Sequence, residues 1–213
     1  MADLFQEIDD ELRQDKASRM WRVYGKYVVA AAIVIILSVG VYKFWQQKQL
    51  DDGEKASIAY ETALARSASG DYKGAIDQLN EEEIGTVAGY AALSQMQKAN
   101  LAMKINDFEA ALITLKEIAE HDSYPQSIKE WASFRYAAVR VEKQIDSNAS
   151  ADLDSLIATD SPWRFLAKEI KAIKEIETGN KSGAKAIFSE LADDENAPER
   201  LRLRAAEFLK ILQ

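Results

Sequence analysis

Apolar and polar positions alternate along this chain in blocks that predict pairs of helices joined by short turns. Residues 70–79 read GDYKGAIDQL and residues 106–115 read NDFEAALITL, so nearly the same pattern occurs twice, 36 positions apart. In both, a turn-forming residue and an Asp precede an aromatic residue, a small residue and an apolar run. A third version, GNKSGAKAIF at 179–188, keeps the glycine and the Ala. We interpret each as the elbow between two helices.

A longer repeat appears when the small residue after each elbow is compared with the positions twelve before and four after it. Small residues recur at the first two positions, and a bulky apolar residue recurs at the third. The four triplets are Ala63, Ala75 and Leu79; Ala99, Ala111 and Leu115; Ala137, Ala149 and Leu153; and Ala172, Ala184 and Phe188. Antiparallel helices approach closely where small side chains face each other, and pairs with one apolar face stack into a solenoid. The spacing therefore predicts an all-α array of about four helix pairs.

The elbows also carry capping chemistry. Each joins a turn residue to a side chain that is expected to accept the free N–H groups of the second helix. The pairs are Gly70 with Asp71, Asn106 with Asp107, and Gly179 with Asn180. Tyr72 and Phe108 are expected to pad the joint. The third elbow, KQIDSNAS at 143–150, has neither glycine nor aromatic.

Three further helix starts are predicted from local signals. Ser127 and Glu130 have the spacing of a capping box, in which each side chain satisfies the other's backbone N–H. Ser161 followed by Pro162 is expected to begin the fourth pair. Pro198 is expected to begin a last helix, which caps the end of the array.

The longest apolar stretch, YVVAAAIVIILSVGVY at 27–42, predicts a transmembrane helix over residues 27–45. A helix of this length spans about 24 to 30 Å, close to the thickness of a hydrocarbon core. Aromatic residues at both ends, such as Tyr24 and Trp45, are typical of the membrane interface. A signal peptide fits poorly, because 26 residues with six acids precede the stretch and no small-x-small site follows it. A buried helix of a soluble protein is the other alternative.

Basic residues near the apolar stretch 27–42 predict its orientation. Arg13, Lys16, Arg19, Arg22 and Lys26 precede it, whereas Lys43, Lys48 and Lys55 follow it, the last two among Asp51, Asp52 and Glu54. This bias favours a cytoplasmic N-terminus. We therefore predict a cytoplasmic segment at 1–26, the span at 27–45, a linker at 46–52 and a repeat domain outside the cytoplasm at 53–213.

The triplets resemble the tetratricopeptide repeat, in which small residues recur at the eighth and twentieth positions and a bulky residue at the twenty-fourth. The resemblance covers about residues 53–192, although most copies lack the family's usual Trp and Tyr. It implies a degenerate tetratricopeptide-repeat solenoid with a C-terminal capping helix, whose first helices line a concave groove. Candidate partner-binding residues carried over to this groove are Tyr60, Leu64, Leu93, Met96, Asn100, Met103, Trp131 and Phe134.

The residues assigned to this groove are mainly apolar, so the resemblance implies binding of a hydrophobic peptide segment or of a partner's helix or strand. Asn100 is the only one of the groups that family members use to clamp a terminal carboxylate, so no such clamp is expected. Two alternatives remain open. These residues could form the core, or the last helix could fold back and fill the groove.

Composition narrows the function classes further. The chain has no cysteine and a net charge of −8, so no thiolate metal site is expected and nucleic acid is not an expected partner. The single histidine, His121, lies at a predicted helix end, where it is expected to be a cap or surface residue. The sequence contains no phosphate-binding loop and no metal-ligand spacing. We therefore expect no enzyme, no cofactor, no metal and no small-molecule substrate.

The whole layout resembles the bacterial ancillary SecYEG translocon subunit family. WRVYGKYVV at 21–29 and the exit YKFWQ at 42–46 carry this resemblance. It implies a single-pass inner-membrane protein with its repeats in the periplasm. The implied partners are the SecYEG translocon, a membrane-anchored periplasmic chaperone and newly exported, unfolded polypeptides. The alternative is a structural scaffold of another envelope assembly, such as division or outer-membrane assembly.

Overall fold

The fold is an all-α array that follows one long apolar helix. The computed structural model describes residues 2–145 and 149–212, with side chains from residue 20 onward, and every regular element in these ranges is a helix. The helices are α1 (Ala2–Ala68), α2 (Tyr72–Gln78), α3 (Glu82–Gly85), α4 (Ala88–Lys104), α5 (Phe108–Glu120), α6 (Gln126–Glu142), α7 (Ala149–Ile157), α8 (Arg164–Glu177), α9 (Lys181–Asp193) and α10 (Glu199–Ile211). The predicted all-α fold is confirmed. Contacts divide the chain into two units, Met1–Glu54 and Lys55–Gln213.

The first unit contains the apolar part of α1. This helix includes a stretch long and apolar enough to cross a membrane, and no residue of that stretch is buried. Residues 46–52, which were predicted to be a linker, are helical and belong to α1. Their sequence, QQKQLDD, has no glycine or proline, and most of its residues are good helix formers.

The second unit is built from helix pairs in chain order. The end of α1 pairs with α2, followed by α4 with α5, α6 with α7, and α8 with α9. The sequence did not predict α3, which lies between the first two pairs. Its Ile84 is buried in a cluster with Ala63, Leu79 and Leu101. This short helix therefore completes the core of the first repeat, whose second helix α2 is itself short.

The four triplets form the centres of the repeats. None of their twelve side chains is more than 4% exposed. Ala172, Ala184 and Phe188 belong to one buried cluster, and the residues of the third triplet share another. Burial of each large apolar side chain contributes about 1.5–3 kcal/mol to folding. The predicted close approach of paired helices at alanine is confirmed.

Three elbows are capped as predicted. The carboxylate of Asp71 accepts a hydrogen bond from the Gly74 N–H at 2.9 Å. Asp107 accepts one from the Ala110 N–H at 3.1 Å. The side-chain oxygen of Asn180 accepts one from the Gly183 N–H at 3.1 Å. These bonds satisfy N–H groups that have no partner within the second helix of each pair.

The third elbow makes the same turn without glycine. Gln144 has φ of +52°, which places a non-glycine residue in the left-handed region. Its N–H bonds to the Val141 carbonyl at 3.2 Å, and the Ile145 N–H bonds to the Arg140 carbonyl at 3.1 Å. Gly70 and Asp71 make the corresponding bonds at the first elbow, so both are Schellman turns. Residues 146–148 of this elbow lie outside the described residues.

The elbow aromatics are covered by the next repeat. Lys104 Nζ lies 5.2 Å from the centre of the Tyr72 ring, and Lys143 Nζ lies 4.9 Å from that of Phe108. Both lysines stand at the end of the first helix of the following pair. The two aromatics therefore join neighbouring repeats through equivalent cation–π contacts.

The predicted capping box at the start of α6 is wrong. The helix begins at Gln126, with Pro125 rather than Ser127 at the N-cap. Glu130 instead accepts hydrogen bonds from Gln126 Nε2 at 3.1 Å and from Ser161 Oγ at 2.9 Å. Because Ser161 lies just before α8, this carboxylate links the third repeat to the fourth.

Candidate functional site

The predicted groove residues lie on the first helices of three successive repeats. Tyr60 and Leu64 are on α1, and Trp131 and Phe134 are on α6. The other four candidates, Leu93, Met96, Asn100 and Met103, lie on α4. Burial then separates these residues into an accessible group and a core group.

The accessible group belongs to the first two repeats. Leu64 is 38% exposed and Leu93 is 44% exposed. Tyr60, Asn100 and Met103 are half-buried. The apolar surface that a partner could reach is therefore concentrated on α4 and the end of α1.

Phe134 belongs to the core of the third repeat. It is only 7% exposed and packs in a cluster with Ala137 and Leu153. Its ring stacks on Trp163 with 5.1 Å between ring centres. At this position the structure favours the alternative in which the residue forms the core.

Tyr60 makes the equivalent contact in the first repeat. Its ring centre lies 5.8 Å from that of Tyr90, just as Phe134 meets Trp163 at the start of the next first helix. Burial raises the pKa of Tyr60, and the proximity of Tyr90 raises it further. In the second repeat Met96 occupies the corresponding position and packs against a cluster that includes Ala99. These residues, at one predicted groove position of successive repeats, therefore join one repeat to the next.

Trp131 is intermediate in burial between the accessible group and the core group. It is half-buried and packs, with Met96, against a buried cluster that includes Leu115 and Ala132. Its indole ring therefore supports the second and third repeats and keeps part of its surface accessible.

The last helix continues the array. Leu201 and Ala205 of α10 are buried with Phe188 of α9, and Phe208 stacks on Phe188 with 4.7 Å between ring centres. α10 packs on α9 and α8 in the way that α8 packs on α7 and α6. α10 therefore occupies the position that the first helix of a fifth repeat would have, and it does not lie along the groove.

Two charged residues on the first helices of the third and fourth repeats make long-range contacts. Arg135 on α6 donates from Nη2 to the sulfur of Met103 at 3.3 Å. Glu169 on α8 is 6% exposed, and Arg204 on α10 binds both of its carboxylate oxygens. Both contacts join residues more than thirty positions apart, so no local pattern in the sequence could have revealed them.

A separate groove lies between α5, α6 and α7. It has a volume of about 530 Å³, and Lys116, Tyr136, Arg140 and Asp152 are among its lining residues. Arg140 forms an ion pair with Asp152 across it. The groove is therefore partly bridged by the repeat's own charges.

The described residues contain no group of three or more His, Asp or Glu side chains arranged to hold a metal ion. His121 is exposed at the end of α5, and its ring stacks on that of Tyr124 with 3.9 Å between centres. Burial raises the pKa of Tyr124. The chemistry available on the groove side is that of apolar, amide and guanidinium groups, which suits binding of polypeptide.

Comparison with known proteins agrees with this architecture. A family model described as a tetratricopeptide repeat-like domain matches residues 18–207. The chain belongs to this family. No solved structure matches the chain significantly.

Similar proteins from three bacteria are each named ancillary SecYEG translocon subunit. The Escherichia coli K12 protein is 26% identical over 84% of this chain and 86% of its own length. The Aggregatibacter actinomycetemcomitans protein is 26% identical over 91% of this chain and 93% of its own. The Haemophilus influenzae protein is 25% identical over 86% and 88%, respectively. The resemblance to these subunits is confirmed over nearly the full chain.

Proposed function

We propose that this protein is a membrane-anchored interaction module, not an enzyme, that works beside the SecYEG translocon. The observation that carries the proposal is the similarity to ancillary SecYEG translocon subunits, which spans the apolar helix and the repeats alike. Repeat arrays of this kind act by presenting an extended surface to other proteins. The exposed apolar residues on α1 and α4 fit such a role.

In this proposal α1 crosses the inner membrane once, with the N-terminus in the cytoplasm and the repeats in the periplasm. Support comes from the basic residues that precede the apolar stretch, including Arg22 and Lys26. Aromatic side chains such as Tyr24 and Trp45 are exposed near its two ends, as interfacial residues are.

The groove would hold apolar segments of exported proteins or of a membrane-anchored periplasmic chaperone. Leu64 and Leu93 expose side chains that gain free energy when a partner covers them. Met96 and Met103 are flexible enough to fit partners of different shape. The candidate site is therefore the concave face of the first two repeats.

The test is cross-linking of the full chain in its membrane, followed by purification in mild detergent. Translocon subunits and a periplasmic chaperone are expected to co-purify with the protein. The double variant L64S/L93S is expected to lose the chaperone or exported proteins, whereas I113S, which changes an exposed residue on α5, retains them. Consistent recovery of a different envelope assembly without translocon subunits would refute the proposal and favour a scaffold role.

A further inference from the structure

We infer that the groove selects segments in which an acidic side chain stands among apolar residues, and that Arg135 binds that acidic side chain. The inference rests on the proposed function, because it names the chemistry of the segment that the groove holds. It arises from the one contact that Arg135 makes.

Arg135 is placed beside the groove by the geometry of α6. It follows Trp131 by four positions and precedes Ala138 by three, so all three residues share one face of the helix. Its guanidinium also reaches Met103 on α4. The positive charge therefore lies between the second and third repeats, where groove residues of both meet.

The hydrogen-bonding capacity of Arg135 is almost entirely unused. A guanidinium has five N–H donors, yet among the described residues its one acceptor is a thioether sulfur, which accepts hydrogen bonds weakly. Two other arginines of the array do have oxygen partners: Arg204 binds Glu169, and Arg164 binds the carbonyl of Asp160. A half-buried arginine whose N–H donors have no oxygen acceptor within the described residues can bind a carboxylate, and such charge-assisted hydrogen bonds are strong.

The charge balance of the groove points the same way. Its buried carboxylate, Glu169, is neutralised by Arg204. At the position on α10 that corresponds to Glu169, Arg202 has a buried Nε without a hydrogen-bond partner among the described residues. Arg135 itself has no carboxylate partner among the described residues, although the net charge of the chain is −8. An acidic segment is the complementary partner.

The carboxylate that Arg135 binds is assigned to an Asp or Glu side chain within the bound partner segment and not to the partner's C-terminus. Leu93 is exposed on α4, and Trp131 is half-buried on α6 beside Arg135. Apolar surface therefore continues along the groove from the guanidinium. A segment that covers this surface places apolar residues next to its acidic one.

Site-specific photo-cross-linking of the full chain in its membrane tests the inference. A benzophenone amino acid replaces Asn100, which lies one turn before Met103 on α4. Mass spectrometry then identifies the cross-linked residues. Segments with an Asp or Glu within about four residues of the cross-link and with apolar neighbours are expected. The variant R135Q is expected to lower the yield about tenfold, as loss of a hydrogen bond between charged groups would.

The matched control is R200Q, which removes the same charge from an exposed residue of α10 and is expected to leave the yield unchanged. R135K keeps the charge and is expected to retain most of the yield. Equal yields from R135Q and R200Q would overturn the inference, as would cross-linked segments without acids, cross-links only to chain ends, or no cross-link. The segments mapped with native Arg135 decide the matter even if R135Q fails to fold.

The same preparations distinguish this inference from the proposed function. Translocon subunits that co-purify while the mapped segments lack acids would refute the role of Arg135 alone. Absence of translocon subunits from the preparation that retains Arg135 would refute the proposed function.

Discussion

Arg204 on α10 binds both carboxylate oxygens of Glu169 on α8. Its Nε binds one oxygen, and its Nη2 binds the other at 2.5 Å. The hydrogen bond to Glu169 raises the pKa of Arg204, with burial opposing it and the charge of Glu169 adding to it. Because the pKa of Arg204 in the folded protein lies above that of a free arginine, the pair stabilises the fold while Arg204 is protonated and the Glu169 carboxylate is ionised.

We expect R204M to destabilise the protein by about 2 kcal/mol, because it leaves a buried carboxylate without its cation. The figure is below that for a fully buried pair because the Arg204 side chain is 48% exposed. The double variant E169M/R204M is expected to recover most of the loss. Thermal unfolding of the full chain in detergent measures both, and equal melting temperatures for R204M and the native protein would contradict the expectation.

Gln144 holds a left-handed conformation that glycine adopts without strain. We expect Q144G to stabilise the protein by about 0.5–1 kcal/mol. The reverse change, G70A, is expected to cost a similar amount, since a Cβ at Gly70 meets no atom within 4 Å and only the backbone is strained. Melting temperatures that move in the same direction for both variants would show that backbone strain does not decide the effect.

Lys98 lies on α4 at the floor of a second groove, of about 300 Å³. Burial lowers the pKa of Lys98, while the nearby Glu117 raises it in part. The unfolded chain therefore binds this proton more tightly, and stability should rise with pH up to the usual lysine pKa of about 10.5.

Replacement of this lysine by Met is therefore expected to raise the melting temperature at pH 7, but only by about 1 °C because the group is half-buried and solvent screens part of its charge. The gain should disappear near pH 10.5, and a gain independent of pH would show that apolar burial, not charge, is responsible. K171M is the matched control. It loses an ion pair with Asp154 and should melt at a lower temperature.

Phe134 and Leu93 were both predicted to face the groove, but their exposed fractions differ about sixfold, at 7% and 44%. We expect F134A to cost about 3–5 kcal/mol, because it opens a cavity among Ala137, Leu153 and Trp163. L93A is expected to cost less than about 1 kcal/mol. Urea unfolding of both variants measures the difference, and similar losses would place Leu93 in the core as well.

The repeat spacing and most of the turns could be predicted because they are local. The spacing of twelve positions from one paired alanine to the other fixes where two helices meet. The caps at Asp71 and Asp107 act on N–H groups three residues further along the chain. The same reasoning failed at Ser127, because α6 begins at Gln126 and Glu130 bonds to Ser161 from the next repeat.

The features that sequence reasoning missed depend on the whole array. Gln144 is not a residue that favours a positive φ, yet its φ is +52°. The sequence could not show which acceptor Arg135 uses or that its other N–H donors lack one, because the acceptor, Met103, is distant in the chain. Phe134 and Tyr60 share a register position, yet only the structure shows that one is buried and the other is accessible in part.

The contacts of Tyr60 with Tyr90 and of Phe134 with Trp163 determine how far the effect of a bound partner extends along the array. In each pair, a side chain at a predicted groove position also makes the contact with the following repeat. Each repeat is therefore coupled mainly to its nearest neighbours. A partner that displaces Tyr60 loosens the start of the second repeat and leaves the fourth untouched. The structural effect of a partner bound at one end of the array thus reaches the neighbouring repeat and becomes weaker beyond it.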